Sequence, residues 1–253
     1  MNKEHLAFLI PTTSKGKQWK NYEDSYLFKY TLSTLTKCNH SQRKIIFYVG
    51  FDMDDSFYTN KNNQNIFKKK FPFFTFRFIE FDKSIKKGHL TKMWNILYHK
   101  ALTDSNYFIN YFYQCGDDIV FKTPGWIESS ISKLKSNNDI GISGPYNEHP
   151  HILTQTLITR KHYAIFNCLF PESIKNWGCD DWLNSVYKPH YVNPIINELA
   201  INNGGPPRYD IQNLTETESK IIANKIAHLD KNKINEYLKK TIKSSSSFAL
   251  CFH

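Results

Sequence analysis

The chain has 253 residues, 40% of them hydrophobic and 22% charged, with a formal net charge of +10. That length suits one sizeable domain or two small ones. The composition excludes disorder over most of the chain, and ten Gly and ten Pro are too few for a fibrous or low-complexity protein.

The basic excess suits an anionic partner, but Arg stands only at Arg43, Arg77, Arg160 and Arg208, so nearly all of the charge is Lys. Abundant Asn, Ile, Phe and Tyr point to an A+T-rich coding sequence rather than to selection for a basic surface. Arg is also the residue that reads guanine bidentately in a duplex. Nucleic acid is therefore not the expected partner. Five cysteines without a C-x-x-C pair argue against a disulfide framework and a zinc ribbon. About six apolar residues precede Pro11, too few for a signal-peptide core or a membrane span. A soluble, cytoplasmic protein with reduced thiols is expected.

In chain order, the apolar run 6–10 reads as a buried strand stopped by Pro11-Thr12-Thr13-Ser14. Residues 26–35 have helical spacing. Residues 44–50 form a second strand, broken by the acidic loop Asp52-Met53-Asp54-Asp55. A third strand spans 74–81. Met93, Ile96, Leu97 and Ala101 make 91–102 a helix, and a fourth strand over 107–114 runs into Gly116-Asp117-Asp118. This alternation predicts an α/β domain with a mainly parallel sheet. The second half is less regular: a helix over 126–134, strands over 139–145 and 152–159, and a helix opened by Cys179-Asp180-Asp181-Trp182 that ends before Pro189. Residues 203–207 are a loop by their breakers. Thr215 and Glu218 have capping-box spacing ahead of a Lys-rich helical tail that dissolves into the serines at 244–247. The expected organisation is a catalytic domain over 1–214 and a helical tail over 215–253.

The chemistry concentrates at acidic pairs. Asp117 and Asp118 at a strand end repel one another and suit a shared hard cation, Mg²⁺ or Mn²⁺. Open α/β sheets bind ligands in the crevice beyond such strand ends. Asp-Asp is also a common turn dipeptide. Asp52 ends another strand, where a carboxylate accepts from a ribose hydroxyl or a base N–H, or lies in a solvated turn. Pro11, Thr12 and Thr13 offer hydroxyls and backbone groups at the same edge. Lys86-Lys87-Gly88-His89, with Lys92 and Asn95 in the helix beyond, sets donors around a helix N-terminus, which is either a diphosphate site or a solvated Lys-rich turn. Asp180-Asp181, between Trp177 and Trp182, is either a helix cap with a dipole charge or a general base flanked by rings for a sugar face. His190 after Pro189 is a candidate metal ligand, whereas His149-Pro150-His151 reads as a surface loop. The P-loop, nucleophile-elbow and dinucleotide glycine motifs are absent.

Taken in order, these pieces resemble the GT-A class of nucleotide-sugar glycosyltransferases over about residues 5–210. Asp117-Asp118 looks like the DxD-type motif of that class, with Gly116 where many members have a first Asp. Gly125-Trp126, Gly144-Pro145 and Cys179-Asp180-Asp181-Trp182 are similar in order to its acceptor half. The residue usage resembles that of giant-virus glycosyltransferases, which implies a host cytoplasm. The resemblance implies a nucleotide-sugar half over 1–120 and an acceptor half over 121–214. It implies Mn²⁺ or Mg²⁺ on Asp118 and Asp117, bridging the donor's diphosphate, and leaves the third ligand unassigned. Pro11, Thr12, Thr13 and Asp52 would lie by the nucleobase and ribose, and Lys92 and Asn95 toward the diphosphate. Asp180 or Asp181 would deprotonate a glycan or other hydroxyl acceptor, with inversion. Two rival classes are a metal-dependent nucleotidyltransferase, which could use the same acid pair, and a non-catalytic nucleic-acid-binding protein.

Overall fold

The computed structural model describes residues 4–39, 41–85, 88–147, 149, 151–203 and 215–249, with the backbone alone from 243 onward. Its strands are β1 (His5–Pro11), β2 (Ile45–Asp52), β3 (Thr75–Phe81), β4 (Ile109–Gln114), β5 (Ile119–Phe121), β6 (Ile142–Tyr146), β7 (Thr156–Thr159) and β8 (Val192–Asn202). They form one sheet in the order β3-β2-β1-β4-β7-β6-β8-β5.

β1 shows why helices flank both sides. Residues 6–10 are all buried, the signature of a central parallel strand covered on both faces. Successive side chains point to opposite faces, so Leu6, Phe8 and Ile10 enter one core and Ala7 and Leu9 the other. The first core is closed by a π-helical turn (Leu27–Leu32) with α1 (Ser33–Cys38), by α2 (Ser56–Thr59) and α3 (Lys61–Lys70), and by α5 (Trp126–Ser136). The second is closed by α4 (Leu90–Leu102), α6 (Arg160–Phe166), α7 (Cys179–Tyr187) and α8 (Glu216–Ala249). α4 buries Trp94, Leu97, Tyr98 and Ala101, a stripe at i, i+3, i+4, i+7 that keeps one helix face on the sheet.

The connections place the site. β1 to β2 to β3 step outward in parallel, and α4 then returns the chain to β4 on the other side of β1, again parallel. The strand order thus reverses between β1 and β4, and the crevice beyond their carboxyl ends is where such sheets take ligands. From β4 onward the sheet is mixed: β7 runs antiparallel to β4 and β6, β8 parallel to β6, and β5 antiparallel to β8.

Several local expectations change. β2 continues through Asp52, two residues past the expected end at Gly50. The helix of the C-terminal tail does not dissolve at the serines but runs to Ala249. Ala223, Ala227 and Ile234 of that helix belong to the same core as α4, α6 and α7. The capping box is formed: Glu218 N donates to Thr215 Oγ1 at 3.2 Å and Thr215 N to Glu218 Oε2 at 2.7 Å. Lys86, Lys87, Pro150 and residues 204–207 lie outside the described residues.

Candidate functional site

Asp117 and Asp118 follow β4 at the reversal point, and both are buried, at 0% and 4% exposure. Thr12, the first residue beyond β1, holds Asp117: its Oγ1 lies 2.6 Å from Asp117 Oδ2 and 3.0 Å from the Tyr58 hydroxyl. A hydroxyl has one proton, so Thr12 donates to the carboxylate and Tyr58 donates to Thr12. Burial, and then the nearby Asp117 charge, push the Tyr58 phenol well above its ordinary pKa, which keeps it a donor. Gly116 has a steric role: a Cβ there would stand 2.6 Å from Asp118 Oδ1. The absent side chain leaves room for the Asp118 carboxylate to fold back beside the backbone. Two further contacts fix this turn. Asn203 N, just past β8, donates to Asp118 O at 3.0 Å, and Ile119 N donates to Thr31 Oγ1 at 3.1 Å.

Beside this pair, the loops after β1 and β2 are tied together by Asp55. Its carboxylate is buried, accepts from Ser14 N at 2.7 Å and Ser14 Oγ at 2.6 Å, and caps α2 through Phe57 N and Tyr58 N, both at 3.1 Å. A cleft of about 290 Å³ opens there, with Lys15, Lys17, Trp19, Asp54 and Phe57 in its lining. Lys15 Nζ bridges Asp52 at 3.0 Å and Asp54 at 2.6 Å, and the ammonium holds the Asp54 carboxyl below its usual range.

Pro11, Thr12, Thr13, Asp52, Asp117 and Asp118 thus share one sheet edge, and exposed Lys92 stands on the first turn of α4 at that edge. Two candidates do not join them. The Asn95 amide is consumed by the backbone of another loop: Oδ1 accepts from Leu169 N and Phe170 N at 2.9 Å each, and Nδ2 donates to Phe170 O at 2.8 Å. Nor are the amides at the start of α4 all available, since Thr91 N donates to Lys175 O at 3.1 Å. His190 is exposed two residues before β8, whose first residue pairs with the start of β6. The far end of β8, roughly 30 Å away at strand rise, is the one that reaches β5 and Asp118. His190 therefore lies at the wrong edge for a metal on Asp118. Among the described residues no three His, Cys, Asp or Glu side chains converge on one point.

The second acid pair lies in the first turn of α7. Neither Asp is the cap, because that position is Gly178 in the left-handed region at φ 85°. The Asp180 carboxyl is pushed up to about 7, by burial first and then by the adjacent Asp181 charge. The expectation that Trp182 could stack on a sugar fails: its ring is fully buried, and its indole N–H donates to Asp230 Oδ2 of α8 at 3.0 Å. Trp177 is only partly buried.

No protein-family model matches the sequence, and no curated sequence matches it significantly. Solved structures do match. The chain is similar to a mannosyltransferase, PcManGT from Pyrobaculum calidifontis, solved with GDP-Man and Mn²⁺. The identity is 10%, with 100% of this chain and 82% of that one covered and a TM-score of 0.57. It is also similar to GalNAc-T7, solved with UDP, GalNAc and Mn²⁺, at 8% identity over 80% of this chain and 45% of that one, TM-score 0.54. S. aureus TarS 1-349 matches at 12% identity over 89% of this chain and 65% of that one, TM-score 0.50. The fold is GT-A. The chain spans less than two thirds of the TarS and GalNAc-T7 chains. At these identities the likeness is one of fold.

Within the GT-A frame, three residues matter that the sequence did not single out. Tyr58 supplies the hydroxyl relay, Asp55 the brace between loops, and Asp230 the partner of Trp182. Asp55 carried a signal, since an Asp two residues ahead of Phe57-Tyr58 is a helix cap by spacing. The other two pair across the fold and leave no local pattern. No helix among the described residues is long and apolar enough to cross a membrane.

Proposed function

We propose that the protein is a metal-dependent glycosyltransferase that moves a sugar from a nucleoside-diphosphate sugar to a hydroxyl acceptor, with inversion. The observation that carries this is the buried Asp117-Asp118 pair at the strand reversal of a GT-A sheet, braced by Thr12 and opened by Gly116. Structural neighbours solved with GDP-Man or UDP and Mn²⁺ support it.

The donor set suits Mn²⁺ or Mg²⁺: hard carboxylate oxygens, with Gly116 leaving the room that the Asp118 carboxylate takes. When bound, such an ion neutralises charge on the departing diphosphate. Thr12 and Tyr58 keep Asp117 oriented for that role. Thr13, Asp52 and the cleft between Lys15 and Phe57 take the nucleoside, with Lys15 free to leave Asp52 for a phosphate or hydroxyl. Lys92 adds positive charge beside the diphosphate. Asp180 is the base. Its carboxylate takes the acceptor hydroxyl's proton as the acceptor oxygen bonds to the sugar carbon and the carbon–diphosphate bond breaks. A carboxyl poised near 7 suits that exchange at neutral pH.

Calorimetry with UDP and GDP in Mn²⁺ tests the donor site. Asp118→Asn is expected to abolish Mn²⁺-dependent nucleotide binding while the protein stays folded, and unchanged binding overturns the proposal. Turnover of UDP- or GDP-sugars but not of nucleoside triphosphates separates a glycosyltransferase from a nucleotidyltransferase.

A further inference from the structure

α8 is bonded to α7 at the turn that carries Asp180 and Asp181. Gly178 packs against α8 so closely that a Cβ would lie 2.7 Å from Ser219 O and 3.1 Å from Ala223 Cβ. One turn on, the fully buried Trp182 donates its indole N–H to Asp230 Oδ2 at 3.0 Å, and Asp230 Oδ1 pairs with Lys233 at 2.7 Å. A further turn on, Ser185 Oγ donates to Asn224 Oδ1 at 2.6 Å. These contacts recur along one side of α7, from residue 178 to residue 185. The contacting α8 residues Ser219, Ala223 and Asp230 form a stripe at helical spacing. A solvated tail needs neither a buried carboxylate nor a glycine fitted to a neighbouring carbonyl.

We propose that α8 is a positioning element for Asp180: the Trp182–Asp230 bond and the fit of Ser219 and Ala223 onto Gly178 hold in place the first turn of α7 and with it the partly buried Asp180 carboxyl. Asp230, Trp182 and Gly178 are positioning residues and touch no substrate. The groups that face the Asp180–Asp181 turn are the Cys179 thiol on α7 and the Lys220 ammonium on α8, the latter near Asp181. The inference rests on reading Asp180 as the base.

The test is a carbon-detected NMR titration of the Asp180 carboxyl in the full chain, for wild type and three variants. Trp182→Phe keeps a ring but removes the donor, Asp230→Leu removes the acceptor, and Asp230→Asn retains one. In the first two the Asp180 midpoint is expected to fall by about one unit toward the ordinary carboxylate range, while Asp230→Asn stays close to wild type. Calorimetry with UDP and GDP in Mn²⁺ is expected to give the same affinity in all four proteins. An Asp180 that titrates at the same pH in every protein overturns the proposal, and so does a shift accompanied by loss of nucleotide binding, which marks general disruption. If wild type itself binds neither nucleotide, the glycosyltransferase proposal fails alone, and the titration still decides the role of α8.

Discussion

Asp117 and Asp118 sit at a strand end, buried among hydroxyls and backbone donors, whereas Asp180 and Asp181 begin a helix and have one thiol and one distant ammonium near them. Both are adjacent carboxylates, and adjacency sets the same repulsion in each. The surroundings decide the outcome. At the strand end, Tyr58 donates to Thr12 and Thr12 to Asp117, so the hydrogen bonds fix the orientation of that carboxylate. At the helix start, burial and the neighbouring charge disfavour the anion, and Asp180 titrates near 7. One pair is oriented by a relay of hydroxyls, and in the other a single carboxyl, Asp180, is raised toward neutral pH.

That contrast breaks first, and most visibly, at Asp180. Asp180→Asn is expected to slow sugar transfer by about 10²–10⁴-fold, the usual worth of a general base, with nucleotide affinity in Mn²⁺ unchanged. Asp118→Asn is expected to lose nucleotide binding and turnover together, so assaying both on the two variants distinguishes the pairs. Wild-type turnover is expected to rise with pH through about 7, as the carboxyl loses its proton. Turnover that is flat from pH 5 to 9 counts against Asp180 as the base.

The same substitution has a smaller signature in stability. A carboxyl raised to about 7 from its ordinary 3.8 binds its proton more tightly in the folded chain than in the unfolded one. Its contribution is therefore full below pH 3.8 and is lost as pH rises to about 7. Asn cannot ionise, so Asp180→Asn gains on wild type across that window, by at most roughly 1.4 kcal/mol for each pH unit, and the difference levels off above 7. Urea unfolding at pH 5, 6, 7 and 8 measures the slope. A difference that does not change with pH contradicts a raised Asp180 carboxyl.

The sequence made some of this legible and hid the rest for physical reasons. β1 and β2 declare themselves as continuous apolar runs because a parallel strand buried on both faces has no polar side to show. Asp117-Asp118 and the Thr215–Glu218 box are local patterns and could be found locally. α3, with the sequence KNNQNIFKKK, shows almost no apolar stripe because it buries little beyond Phe67 and Gln64. β5 is three residues long, too short for any period. Thr12 meets Tyr58 across 46 positions and Asp117 across 105, so the relay exists only once the sheet is assembled. His190 failed for a related reason: local sequence locates a strand but does not say which of its ends meets β4.

Thr12 gives the mildest way to sharpen the comparison. Thr12→Val keeps the shape and removes the hydroxyl that joins Tyr58 to Asp117, so each of these buried groups loses one hydrogen bond. Losing two buried hydrogen bonds is expected to cost about 1–3 kcal/mol, read as a lower urea midpoint at unchanged slope. Thr12→Ser keeps the hydroxyl and is expected to lose less than about 1 kcal/mol, chiefly for one buried methyl. Because the lost hydrogen bond had oriented a carboxylate, Mn²⁺-dependent nucleotide binding is also expected to weaken in Thr12→Val, while the Asp180 titration stays where it was. A Val variant as stable as the Ser variant shows that the other contacts of Asp117 and Tyr58 suffice, and that the relay through Thr12 does not hold the strand-end pair.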